Sequence, residues 1–228
     1  KVKGFVITHG HEDHIGSLPY VLKDMNLPIY ATKLTMGIIE NKLKEHNLLR
    51  STRRKVVRHG QSINLGQFRI EFIRTNHSIQ DASALAIFSP VGIVLHTGDF
   101  KIDYTPVFGD PIDLQRFAEL GKKGVLAMMA DSTNATRPGF TMSERSIVAT
   151  FASNVDRVQQ VVNTAYKYGK KVVVEGRSMV TIIDIASELG YINIPDGTLI
   201  DIDQLKNYPP ESTVLITTGS QGESMAAL

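Results

Sequence analysis

The sequence predicts an α/β protein in two parts, a layered mixed domain over residues 1–145 and a domain with a mostly parallel sheet over residues 146–228. In the first part, short β-branched apolar runs are interspersed with amphipathic helical stretches. In the second part strand and helix alternate regularly, which is typical of parallel βαβ units. A chain of 228 residues is long enough to bury a core in each part.

The first part predicts strands in two groups, with helices between them. "KGFVIT" and "PIYAT" predict short buried strands, and "GSLPYVLKDM" and "KLTMGIIENKLKEHNLL" predict helices. "RKVVRHG" and "QFRIEFIRT" predict strands separated by the turn "GQSINLG", and "SALAIFSPVGIVLHTGDF" predicts a hairpin. "DLQRFAELGKKG" predicts a helix before the strand "VLAMMAD", whose Met128 and Met129 we expect to fill the core.

The second part predicts the strands "SIVATF", "KKVVVEG" and "TVLITTG" and the helices "DRVQQVVNTAYKYG" and "MVTIIDIASELG". We place the boundary near Arg145. Parallel strands need a crossover of about a dozen residues or more, and no helical pattern precedes Ser146. Either the chain is shortened at this junction or its sequence skips residues there. Because the sequence starts at Lys1, within the lead-in to a strand, we also expect it to be a piece of a longer protein.

The composition limits the chemistry that this chain can perform. It has no cysteine, which excludes disulfides, thiolate metal sites and cysteine nucleophiles, and leaves His, Asp and Glu as metal ligands. The formal net charge of +2 does not by itself indicate a nucleic-acid partner. No apolar run reaches the length of a membrane span, so we expect no membrane partner, and we expect a cytoplasmic location.

A polar turn after the first predicted strand concentrates metal-ligand side chains. The stretch "THGHEDHIG" contains His9, His11, Asp13 and His14, and Gly10 lets the backbone fold closely. Imidazole and carboxylate groups together suit zinc or manganese. Two adjacent ions need about six to eight protein ligands, so further ligands must come from elsewhere in the chain.

Two further candidates follow predicted strands, His77 in "TNHSIQD" and Asp99 in "LHTGDF". Either residue alone would read as an ordinary surface or capping residue, but the histidine cluster favours a shared metal site at the ends of the strands. His96 lies within a strand pattern and is expected to be buried or to support a ligand. We expect His46 and His59, which lie among basic residues, to face solvent.

These motifs resemble the H-x-H-x-D-H signature series of the metallo-β-lactamase fold. The later segments "ADSTN", "GFTMSER", "ATFASN", "EGRSM" and "TTGSQGE" are similar to motifs of the β-CASP nucleases, and the bacterial ribonuclease J family is the closest match over essentially the whole chain. The resemblance implies that residues 1–145 form part of a metallo-β-lactamase αββα sandwich without its N-terminal strands. Residues 146–228 would then be part of an inserted β-CASP domain.

The resemblance also implies a site for two divalent metal ions. His9, His11 and His77 would bind the first ion. Asp13 and His14 would bind the second, and Asp99 would bridge the two. The family has a further ligand histidine in later segments that this sequence lacks, so we expect an incomplete second site. Asp13 and Asp131 are the implied catalytic carboxylates, and the alternative for Asp131 is a cap on the turn that follows it.

The second part would bind RNA phosphates at three turns, each between a strand and a helix, where backbone N–H groups point outward. The candidate residues are Phe151, Ala152, Ser153, Asn154, Arg177, Ser178, Gly219, Ser220 and Gln221. The densest basic cluster lies elsewhere, and its role as a solvated face or as an RNA approach surface stays open. It comprises Arg50, Arg53, Arg54, Lys55 and Arg58.

The function that the resemblance implies is hydrolysis of RNA phosphodiester bonds by a 5′-to-3′ exonuclease with endonuclease activity, in RNA maturation and decay. Its partners would be single-stranded RNA with a 5′-monophosphate, further copies of the chain and an RNA-degrading assembly. There are three alternatives. The predicted phosphate-lined second part argues against a hydrolase of small esters, thioesters or lactams, and the intact set His9, His11, Asp13 and His14 argues against a metal-free homologue that acts as a binding partner. A DNA-directed β-CASP nuclease differs from a ribonuclease only through the overall resemblance.

Overall fold

The computed structural model describes residues 1–106, 109–133, 135–139 and 155–217, without the side chains of residues 156, 177 and 178. The chain divides into two compact units, residues 1–147 and 148–228. The boundary predicted at Arg145 and the predicted strand "SIVATF" lie outside the described residues. None of the helices described is long and apolar enough to cross a membrane.

The first unit contains two sheets and four helices over the part of the chain that is described. Its elements are β1 (Phe5–Val6), α1 (Glu12–Ile15), α2 (Leu18–Asp24), β2 (Ile29–Ala31), α3 (Lys33–Glu45), β3 (Arg54–Val56), β4 (Ser62–Leu65), β5 (Phe68–Arg74), β6 (Ser83–Ser89), β7 (Gly92–His96), α4 (Leu114–Lys123) and β8 (Ala127–Met129). Strands β1, β2 and β3 form a parallel sheet in that order. Strands β4 to β8 form the second sheet, antiparallel except for the parallel pair β7 and β8.

The two sheets pack face to face with helices outside them. Alternation along the strands sends Val6 and Tyr30 inward, where they meet Phe72 of the second sheet. Ile7 and Ile29 point the other way, into a core shared with α2 and α3. On the far side, Leu120 of α4 packs against the second sheet's outer face. This helix–sheet–sheet–helix order confirms the predicted αββα sandwich.

A buried ion pair also holds α4 against the second sheet. Arg116 of α4 donates two hydrogen bonds to the carboxylate of Glu71 on β5, from Nε at 2.7 Å and from Nη2 at 2.8 Å. Glu71 is buried, and the fork geometry satisfies both of its oxygens. Asp113 caps the N-terminus of α4 by accepting from the Arg116 backbone N–H at 3.0 Å.

Two predictions about the strands of the first unit are wrong. The stretch "GQSINLG" was expected to be a turn, but Ser62–Leu65 within it forms β4, because cross-strand pairing with β5 organises its alternating polar and apolar side chains. Met128 and Met129 were expected in the core, but they are 62% and 49% exposed on β8. Strand β8 is paired with β7 on one side, and the described residues leave its other edge uncovered.

The second unit has a parallel sheet, as predicted, and its three described strands include one, Leu199–Ile200, that was not predicted. Its elements are α5 (Val155–Lys167), β9 (Lys171–Glu175), α6 (Arg177–Glu188), β10 (Leu199–Ile200), two 3₁₀ turns (Ile202–Asn207 and Pro210–Ser212) and β11 (Thr213–Thr217). Strand β9 lies between β10 and β11 and pairs in parallel with both. Both α5 and α6 contact β9, and Val172 and Val173 in its centre are fully buried.

Candidate metal centre

The ends of three strands bring the predicted ligands of the first unit together. His9 follows β1 by three residues, His77 follows β5, and Asp99 follows β7. Ser83 ties these strand ends together, because its backbone N–H donates to Thr8 O at 2.9 Å and it begins β6, between β5 and β7 in the sheet. Thr8 and His77 are 69 positions apart in the sequence, and His9 and Asp99 are 90 positions apart. These residues therefore meet at one edge of the sandwich only because the chain folds.

The donor atoms form two groups that share His9. Ligand atoms of His9, His11 and His77 lie within 4.8 Å of one another, and so do those of His9, His14 and Asp99. His77 Nε2 is 3.0 Å from His11 Nδ1. The Asp99 carboxylate lies between the groups, with His14 Nε2 at 3.4 Å and His77 Nε2 at 3.6 Å. This position suits a carboxylate that bridges two ions.

The described residues fit a metal centre on independent physical grounds. His9 is fully buried, and its Nε2 has no hydrogen-bond partner among the described residues, which is costly for a polar atom unless another ligand satisfies it. Its other ring nitrogen, Nδ1, lies 3.1 Å from the Thr8 hydroxyl, so the ring presents Nε2 to the site.

Three imidazoles of the site, those of His9, His11 and His77, are held neutral. Burial, with the nearby rings of His14, His11 and His77, lowers the pKa of His9 to about 2. Burial lowers the pKa of His11 and of His77 to about 4. At pH 7 each ring therefore offers a lone pair, the form in which histidine binds metals.

The two carboxylates proposed as catalytic lie at different depths. The side chain of Asp13 is 77% exposed, with Oδ2 3.5 Å from His14 Nε2, and it falls outside both donor groups. Asp131 accepts hydrogen bonds from the N–H and the hydroxyl of Thr133, at 3.0 and 2.6 Å, and these bonds lower its pKa. Asp131 also acts electrostatically on His77, whose pKa it tends to raise.

The remaining histidines occupy three different environments. His96 is half-buried on β7 and accepts from the Gly98 N–H at 3.0 Å through Nδ1. His59 does not face solvent as expected. It lies 3.1 Å from both Ala82 O and Ser83 Oγ, and burial lowers its pKa. His46 ends α3, half-buried, with its ring 5.2 Å from the Tyr20 ring.

Asn76 links the segments that carry His77 and Asp99, and sequence reasoning missed it. Its backbone pairs with Lys101, whose N–H donates to Asn76 O at 2.8 Å. Its side chain accepts from Ile112 N–H at 2.7 Å and donates to Asp110 O at 3.3 Å. The position of Asn76 in the quoted segment "TNHSIQD", directly before a ligand, was the only sequence signal for it.

Asp81 fixes the other end of the loop that carries His77. Its Oδ2 accepts from the Leu34 N–H at the start of α3, and its carbonyl accepts from the Thr32 hydroxyl at 2.8 Å. Its backbone has a φ of 61°, an uncommon conformation for a residue other than glycine. These bonds hold the loop between β5 and β6 against α3.

The predicted phosphate-binding turns are described only in part. Arg177 and Ser178 are the first residues of α6, directly after β9 and the N-cap Gly176, whose φ is 108°. Their side chains lie outside the description, as do Phe151, Ala152, Ser153 and Asn154 and Gly219, Ser220 and Gln221.

Residues 1–130 match the family model described as Beta-lactamase superfamily domain. The chain belongs to the beta-lactamase superfamily. Residues 143–228 match the model described as Ribonuclease J, beta-CASP domain, so the superfamily domain is followed here by a β-CASP domain. These matches confirm the resemblance that the motifs indicated.

The chain is similar to curated proteins that are named Ribonuclease J. Ribonuclease J of Synechocystis sp. is 45% identical over 246 residues, covering 100% of this chain and 38% of that protein. Ribonuclease J 1 of Streptococcus pyogenes is 46% identical, with 100% and 43% covered, and Ribonuclease J2 of Bacillus subtilis is 37% identical, with 100% and 44% covered. The chain thus spans less than half the length of these relatives.

One solved structure of another protein has a similar fold. It is a protein of unknown function from Enterococcus faecalis, with a TM-score of 0.62 and 17% identity, over 97% of this chain and 59% of the other.

Proposed function

We propose that the chain is part of a metal-dependent ribonuclease that hydrolyses RNA phosphodiester bonds. The observation that carries this proposal is the pair of donor groups that share His9, with Asp99 between them. A β-CASP domain and relatives named Ribonuclease J support RNA as the substrate.

Two divalent ions, zinc or manganese, fit the donor atoms. His9, His11 and His77 would hold one ion. His14 and Asp99 would hold the second, with Asp13 as its exposed ligand. When bound, such a pair activates water and neutralises charge on the phosphate as the P–O bond breaks.

The chain's own residues prepare this reaction. Because burial lowers the pKa of His9, protons do not compete with a metal ion for its ring nitrogen at neutral pH. The exposed carboxylate of Asp13, whose Oδ2 lies 3.5 Å from His14 Nε2, would accept a proton from the attacking water. Asp131 orients the turn at Thr133 near His77.

The substrate would be single-stranded RNA with a 5′-monophosphate, cleaved from the 5′ end and also internally. The N-terminus of α6 supports phosphate binding, because the first N–H groups of a helix lack partners within it. Arg177 and Ser178 would contribute there, with the other predicted turns of the second unit. We further propose that the protein works in the cytoplasm, as an oligomer and within an RNA-degrading assembly.

The test removes two residues of the site and measures metal and cleavage separately. We expect His11→Ala with Asp13→Ala to lower the metal content, measured by plasma mass spectrometry, from about two ions per chain, and to abolish cleavage of 5′-monophosphorylated RNA. His46→Ala is the matched control and should leave both unchanged. Undiminished RNA cleavage in the double variant would refute the mechanism, and equal cleavage of single-stranded DNA by the parent protein would refute the RNA assignment.

A further inference from the structure

The edge strand of the parallel sheet is strongly basic. Arg50, Arg53, Lys55 and Arg58, which we call the basic edge, are all exposed and lie on β3 or next to it. Among the described residues none of these four side chains forms an ion pair, whereas their neighbour Arg54 is paired with Glu40 at 3.3 Å. Four cations without acidic partners within nine residues give this edge a local charge that the overall balance of +2 hides.

Strand geometry places two of these charges side by side. Strand β3 pairs with β2 on one side, and the described residues place no strand on its other side. Residues two apart on a strand lie about 7 Å from each other on the same side. Arg53 and Lys55 therefore lie on the same face of the sheet at its open edge, and Arg58 follows two residues after the strand ends.

The basic edge leads toward the metal centre. Strands β1, β2 and β3 run in the same direction, so their C-terminal ends share one edge of the sheet, where His9 lies. His59, next to Arg58, lies 3.1 Å from Ser83 Oγ, and the Ser83 N–H donates to the carbonyl of Thr8. Ser83 therefore connects His59, at the end of the basic edge, to Thr8, the residue before His9.

We propose that the basic edge binds the phosphate backbone of the RNA outside the reaction site and guides the strand to the metal centre. This inference rests on the proposed function, because it takes RNA as the substrate. Exposed cations neutralise phosphates without reading bases, so the binding would be independent of sequence.

Salt dependence of RNA binding tests this proposal. Binding of a fluorescently labelled single-stranded RNA would be followed by anisotropy at several KCl concentrations, in EDTA to prevent cleavage. For Arg53→Gln with Lys55→Gln, the slope of log affinity against log salt should fall by about 1.4, because each lost phosphate contact contributes about 0.7 on single strands. At 0.1 M salt the same two contacts correspond to about a 25-fold loss of affinity. Adding Arg50→Gln and Arg58→Gln should double the change in slope.

The matched control is Lys122→Gln with Lys123→Gln, which removes the same charge from the exposed end of α4. This variant should keep the parent slope. Exchange of the two cations, Arg53→Lys with Lys55→Arg, should also keep it, which separates charge from local folding. Equal slopes in the basic-edge variant and the control would overturn the proposal.

Cleavage assays separate this proposal from the proposed function. Parent protein that does not cleave RNA would refute the function itself. Parent protein that cleaves RNA, with a basic-edge variant that binds and cleaves like the control, would refute only the guiding role.

Discussion

Replacing Asn76 tests whether the connection between two ligand segments determines metal affinity. Asn76→Ala removes the acceptor for the buried Ile112 N–H and the donor to Asp110 O, while the backbone pairing with Lys101 stays possible. Loss of the 2.7 Å bond from Ile112 leaves a buried N–H without an acceptor, which costs about 1–3 kcal/mol of unfolding free energy. The Asp110 bond is longer and exposed, so we expect a total loss of about 2 kcal/mol of unfolding free energy.

The effect on metal binding should exceed what this loss of stability explains. Without the side-chain bonds, residues 110–112 are no longer held against the end of β5, and the backbone pair with Lys101 alone connects the segments that carry His77 and Asp99. The distance between His77 and Asp99 is therefore less constrained. Loss of such supporting bonds typically lowers metal affinity about 10- to 100-fold. Calorimetric titration of the metal-free protein with Zn²⁺ measures this affinity, and the visible spectrum of the Co²⁺ form reports the ligand geometry.

Asn41→Ala on α3 is the matched control, because its side-chain bond to Glu45 is exposed and lies within one helix. It should leave the Zn²⁺ affinity and the Co²⁺ spectrum unchanged. An Asn76→Ala protein that is less stable but binds Zn²⁺ as tightly as the parent would show that Asn76 supports the fold and does not position the ligands.

Two further predictions follow from the backbone and from a buried histidine. Gly98 has a φ of 59°, and a Cβ there would lie 2.9 Å from Ser83 O, so Gly98→Ala should cost about 1–3 kcal/mol of unfolding free energy and weaken Zn²⁺ binding. Gly60→Ala, at φ 80° in open space, controls for strain alone, and equal Zn²⁺ affinities in the two variants would contradict the steric argument. Burial lowers the pKa of His59, so the unfolded chain binds more protons below about pH 6.5 and stability is lost as the pH falls from there. In EDTA, urea unfolding of His59→Gln should show a smaller loss between pH 7 and pH 5 than the parent, and an equal loss would exclude this role of His59.

The sequence predicted the elements whose signals are local. The β-branched runs indicated a layered α/β domain, and the strand-ending positions of His77 and Asp99 indicated the edge where the donors meet. The αββα sandwich was implied by the resemblance of the motifs. Strand β4 was missed because "SINL" carries a weak apolar pattern, and its pairing with β5 supplies what the pattern lacks. The exposure of Met128 depends on which strand lies beside β8, a long-range fact that residue type does not encode.

The supporting residues of the site were harder to predict for the same reason. Asn76 bonds to residues 34 and 36 positions away, and Asp81 bonds to the start of α3, 47 positions away. His59 lies among basic residues in the sequence, yet the fold places it against Ala82 and Ser83. In each case the partner is far away in the sequence and is brought near only by the folding of the whole unit.

The order of the ligands along the chain has a consequence for biosynthesis. Both donor groups, and strands β1 to β7 that position them, are complete by residue 99. During synthesis from the N-terminus, the donors can therefore gather before the β-CASP part has left the ribosome. A metal ion captured at that stage binds the folded arrangement more tightly than the unfolded chain, so it would stabilise the half-made protein. The same atoms that we assign to RNA hydrolysis would then first stabilise the αββα sandwich while the rest of the chain is still being synthesised.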